Sequence, residues 1–129
     1  MIIESADKNT NAFFLVDKLV ASCYQVTKSF PAGEKYELAK EITNAASLVQ
    51  LNITESFSKQ SIAAHKKHCE IARDWIVAID NALDLASAYG YTNKENLAEL
   101  NGYLLGSFQL LSKLINQQPL IASLPPNQI

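Results

Sequence analysis

Between Phe30 and Gly33 the chain reads Phe-Pro-Ala-Gly, and from residue 34 to residue 89 it contains neither proline nor glycine. That distribution limits the fold more than any other feature. Proline removes a backbone donor and glycine lowers helix propensity, so where both are missing a helical pattern can run long. The other glycines are Gly90, Gly102 and Gly106, and the other prolines, Pro119, Pro125 and Pro126, fall in the last dozen residues.

Between the breaks the apolar spacing is helical throughout. A first helix, over about 9–29, carries Val16, Leu19, Val20, Cys23, Val26 and Phe30 at i, i+3/4, i+7. A second, over 34–57, carries Leu38, Ile42, Ala45, Ala46, Val49, Ile53 and Phe57. A third, over 61–89, starts at a Ser61 N-cap and stops with Gly90 as the residue after its cap. The fourth, over 93–117, opens on a capping-box pattern, Thr92 followed by Glu95. Residues 118–129 are too proline-rich for helix and are expected to be extended. Helices of this length joined by short loops must run antiparallel, so the expected fold is an all-α, up-down-up-down four-helix bundle in a single domain.

With 129 residues, of which 48% are apolar, the chain can bury a real core. A net charge of −2 gives no general grip on nucleic acid. Cys23 and Cys69 alone do not make a disulfide scaffold. The N-terminus lacks a signal-peptide pattern and no window is apolar enough to span a membrane, so a soluble cytoplasmic protein is expected.

Two helices are too apolar for a simple bundle. Apolar residues cover about 200° of the third helix, where a surface helix needs about 100°. One edge, Ile71, Ala78 and Leu85, is a candidate contact with another copy. The fourth helix has no charge from Leu100 to Ser112, and Gly102, Gly106 and Gln109 share its outer face. The two glycines cost helix propensity that a close backbone approach would offset.

Chemical sites are scarce. His65, His68 and Cys69 form the one metal-like cluster, but zinc needs three or four converging ligands; two partly buried histidines beside a small hydrophobe is the simpler reading, so no metal is expected. No Glu-x-x-His motif supports a carboxylate di-metal site. No nucleophile elbow, phosphate loop or dinucleotide fingerprint occurs, so neither an enzyme nor a cofactor is expected, and no small-molecule substrate is evident. Lys59, Lys66 and Lys67 bracket the turn between the second and third helices, with Arg73 further on; together they form a candidate phosphate-contact patch. Asn52 and Glu55 are expected to tie the second helix to a neighbour.

The run Tyr24-x-x-Thr27-Lys28-x-Phe30-Pro31-x-x-Glu34-Lys35-Tyr36-x-Leu38-x-x-x-Ile42 resembles the bacterial four-helix-bundle proteins encoded in 23S rRNA intervening sequences, sometimes given a ribosomal-protein-like name. The resemblance continues through Ala45-Ala46, Asn52-Ile53-x-Glu55, Ser58-Lys59 and Leu83 to Gly90-Tyr91. The chain also looks similar to the accessory proteins of diversity-generating retroelements. The resemblance implies a closed bundle, often a homopentamer, that is not an enzyme and binds RNA or an RNA-handling protein. Where the family carries two arginines before the alanine pair, this chain has Thr43 and Asn44. Where the family has Ile-Pro-Ser it has Val49-Gln50-Leu51, and Ser56 stands in place of a glycine. A protein–protein adaptor without nucleic-acid binding, working through the fourth helix and Leu120, Ile121 and Leu124, is the first alternative, and a metal-binding bundle using His65, His68 and Cys69 is the last.

Overall fold

The structure is a computed structural model that describes the backbone of residues 2–33 and 36–116 and the side chains of 12–33 and 36–116. Glu34, Lys35 and the tail with Leu120, Ile121 and Leu124 lie outside the described residues. Four helices make up the fold: α1 (Ile2–Lys28), α2 (Tyr36–Ser58), α3 (Ile62–Ala88) and α4 (Lys94–Asn116). Each packs on two neighbours, α1 on α2 and α4, and α3 on α2 and α4, while among the described residues the diagonal pairs do not meet. This is the expected antiparallel four-helix bundle.

The chain breaks work as the residue types require. At the end of α1 the amides of Ser29 and Phe30 turn back to the carbonyls of Val26 and Thr27, both at 3.1 Å. Gly33 then takes a φ of +94°, a region side chains avoid. Ser61 accepts from the Ala64 amide at 3.1 Å and so caps α3. At the other end of α3, Gly90 has φ +80°. Its amide donates to the Ser87 carbonyl at 3.0 Å and the Tyr91 amide to that of Ala86 at 2.9 Å, the paired bonds of a Schellman ending.

Two boundaries depart from expectation. Helix α1 begins at Ile2, not near Asn9. Helix α4 is capped by Asn93, whose Oδ1 accepts from the Asn96 amide at 2.9 Å; Thr92 is drawn inside, and its Oγ1 has no protein partner. The reason is the loop before it, where the Tyr91 ring packs at a tilt of 53° against Phe30 with centroids 6.0 Å apart and carries the next residue into the bundle.

The core is one column of side chains running the length of the bundle. Val16, Leu19, Cys23, Ile42, Val49, Ile53, Ile79, Leu83, Leu100 and Leu111 are all buried in it. None of the four helices is long and apolar enough to cross a membrane.

Candidate functional site

The α2–α3 turn gathers the candidate chemistry. His65 follows the Ser61 cap, and its ring sits 5.6 Å from Phe57, which meets Phe13 edge-on at 5.7 Å. His65 Nδ1 lies 2.7 Å from the Ser56 carbonyl. A carbonyl can only accept, so Nδ1 carries the proton, and in the neutral ring Nε2 accepts from the Cys69 thiol at 3.7 Å. One turn on, His68 Nδ1 donates to Asn52 Oδ1 at 3.0 Å, while Asn52 Nδ2 donates to the Leu48 carbonyl at 2.8 Å.

Asn52 thus ties α2 to α3 as the sequence suggests. Glu55 does not: it pairs at 3.1 Å with Lys59, four residues on and just past the end of its own helix. Both histidines spend a ring nitrogen on α2. No group of three His, Cys, Asp or Glu residues able to hold a metal ion is found among the described residues.

The thiols are poorly placed to react. Burial pushes the Cys69 thiol up, the Ser56 hydroxyl lowers it in part, and the Glu70 charge adds to the rise. Burial alone pushes Cys23 up to about 12. A nucleophile or ligand must be a thiolate, and neither environment favours one at neutral pH.

The basic residues do not form one surface. Lys59 is paired with Glu55. Lys66 and Lys67 are adjacent in the chain and so point about 100° apart. Arg73, seven residues after Lys66, shares its side of α3. Its Nη1 donates to Ser112 Oγ at 3.1 Å and its guanidinium lies 5.7 Å from the Phe108 ring centre. Lys66 and Arg73 therefore border α4, and Lys67 points elsewhere.

The candidate subunit contacts also separate. Ile71 and Ala78 are half-buried and Leu85 exposed. They recur every seven residues, three on from His68, Trp75 and Ala82, on the α2 flank of α3. Gly102, Gly106 and Gln109 flank α4 on the opposite side: a Cβ on Gly106 would touch Leu15 of α1 at 3.5 Å, and one on Gly102 would meet nothing within 4 Å. Among the described residues no close backbone approach accounts for either glycine.

Between these flanks runs a groove of about 430 Å³, with Ile76 and Leu104 among its lining and Val77, Leu105 and Phe108 open to solvent. Leu105 is 59% exposed. Sequence reasoning missed this groove, because a wheel drawn for one helix does not say which edge of it meets which edge of the next.

The α1–α2 seam carries a second surface that sequence reasoning passed over. Gln50 Nε2 donates to Asp17 Oδ1 across it at 2.8 Å. Near the turn it opens into a cleft of about 230 Å³ lined by Thr27, Phe30, Pro31, Gly33, Tyr36 and Ala39. Tyr36 is 66% exposed and Tyr24 46%. The signal was in the sequence as two Tyr-x-x-x-Lys pairs, Tyr24/Lys28 and Tyr36/Lys40, split by the Pro/Gly turn.

No curated protein matches the chain. A family model described as 23S rRNA-intervening sequence protein matches residues 9–116.

Proposed function

Because the chain belongs to the 23S rRNA-intervening sequence protein family, we propose that it is a non-enzymatic bundle that assembles with copies of itself and binds RNA or a protein that handles RNA. The observation that carries this reading is the family match, which spans all four helices. The groove between α3 and α4 supports the assembly. Val77, Leu105 and Phe108 stand open along one groove, with Asp80 and Asp84 also in its lining, and exposed apolar side chains gathered in this way are what a partner covers. A five-membered ring, as resemblance implies, would multiply weak phosphate contacts from Lys59, Lys66, Lys67 and Arg73, so that a chain of net charge −2 still holds RNA.

The test pairs mass with affinity. Light scattering on the purified chain should give a multiple of the 14.2 kDa protomer, and Leu105→Asp should return it to a single chain. An RNA shift assay between about 50 and 200 mM salt should show affinity falling steeply as salt rises. A flat response, or no binding at the lower salt, removes the RNA reading. A partner captured equally well after nuclease treatment would then favour the adaptor, for which the uncharged stretch of α4 from Leu100 to Ser112 speaks.

A further inference from the structure

Heptad arithmetic places four exposed side chains on one strip. Asp17 and Gln50 touch across the outside of the α1–α2 seam. Seven residues are nearly two helical turns, so Tyr24, seven after Asp17, and Tyr36, fourteen before Gln50, lie on that same outer seam. Lys28 and Lys40 each follow their tyrosine by four residues and stand beside it.

Heights follow from the rise of 1.5 Å per residue. Measured from the Asp17–Gln50 contact, Tyr24 stands at about 10 Å, Lys28 and Lys40 at about 15–17 Å, and Tyr36 at about 21 Å. The two lysines therefore sit level with one another, between two tyrosines carried by different helices. Neither lysine is ion-paired among the described residues, where the ion pair found is Lys59–Glu55. Glu41 follows Lys40 by one position and so points about 100° away; Glu37 precedes Lys40 by three and is its exposed neighbour, without an ion pair between them.

Neither ring belongs to the buried core. Phe30 caps the core and Gly33 makes the turn, but Tyr24 and Tyr36 leave much of their surface in water. Flat faces alternating with unpaired cations match single-stranded nucleic acid, whose bases stack on aromatic rings while its phosphates meet lysine. A duplex hides its base faces and would gain only the charge contacts.

Resting on the RNA reading above, we infer that the α1–α2 seam is a single-strand RNA strip, with Tyr24 and Tyr36 stacking on bases and Lys28 and Lys40 neutralising the phosphates between them. This site lies at the Pro/Gly-turn end of the bundle, away from Lys59, Lys66 and Lys67.

The experiment is a fluorescence-anisotropy titration of the full chain with a labelled single-stranded RNA of about 20 nucleotides, enough to cross such a site, and with the same strand in a duplex. Tyr24→Ala/Tyr36→Ala should weaken the single-strand complex about tenfold or more with the salt slope kept, and should leave the duplex complex unchanged. Tyr24→Phe/Tyr36→Phe should bind as the parent does. Lys28→Gln/Lys40→Gln should flatten the salt slope by about 1.4, or 0.7 for each phosphate. Light scattering and circular dichroism should match the parent in every variant.

If the parent binds RNA and the double alanine variant binds equally well, the strip falls and the RNA reading stands. If the alanine variant loses affinity only together with its assembly mass, the strip is a subunit contact and the inference is overturned. It is overturned equally if that variant keeps RNA but loses a nuclease-resistant protein partner. If the parent binds no RNA at low salt, both readings fall.

Discussion

Single residues in this bundle divide into those that hold a shape and those that leave something unpaired. Gly90 belongs to the first group. A Cβ there would meet nothing within 4 Å, so Gly90→Ala carries a backbone cost alone, about 1–2 kcal/mol, read as a lower denaturation midpoint with an unchanged slope. Thr92 and Ser107 belong to the second. Both are buried, and neither hydroxyl has a protein partner. Thr92→Val and Ser107→Ala remove polar groups that were desolvated without return, so each should raise the melting temperature. A loss of more than about 1 kcal/mol in either would mean that the hydroxyl is bonded in solution.

The thiols give a pH signature at the same scale. Folded Cys23 keeps its proton up to about 12, whereas an unfolded cysteine releases it near 8.5. The contribution to stability is therefore whole below the unfolded value. It is lost as pH rises from about 9 towards 12, at about 1.4 kcal/mol per unit. Melting temperatures of Cys23→Ala should fall less steeply than the parent's across that window. Ellman's reagent should find both cysteines only after denaturant is added, since both are buried.

Among elements, helix ends were legible wherever one residue type has one job. Gly90 after α3 and Ser61 before it were readable because φ above zero and a hydroxyl acceptor are local requirements. Thr92 misled because the residue before it, Tyr91, reaches across to Phe30 just past the end of α1, a contact distant in sequence. The cap that forms predicts its own test: Asn93→Ala should cost about 1 kcal/mol, and Thr92→Val none. His65, His68 and Cys69 resemble a ligand set only in their helical spacing, and on that spacing alone no metal is expected. What the spacing could not show is that Ser56 and Asn52 of α2 take the two Nδ1 positions. Val77, Leu105 and Phe108 were hidden for the same reason, since they meet only once α3 and α4 are set side by side.

For the whole molecule, stability should depend on the central column and not on the rim. Leu83 and Leu100 are buried in that column, and truncation of either to alanine should cost about 2–5 kcal/mol. Chemical denaturation of a single cooperative transition would measure it. Tyr24 and Tyr36, exposed on the seam, should cost little.

Among the described residues each helix touches the two beside it and none opposite, and α1 is itself a neighbour of α4. Topologically the four rods make a closed loop with no privileged starting point. Because α1 begins at the same end of the bundle where α4 finishes, a linker there could join them and the chain could be reopened at the Pro31–Gly33 turn. A circular permutant built that way should reach the same melting temperature within a few degrees, and failure to fold would mean that the turn guides assembly as well as connecting two helices.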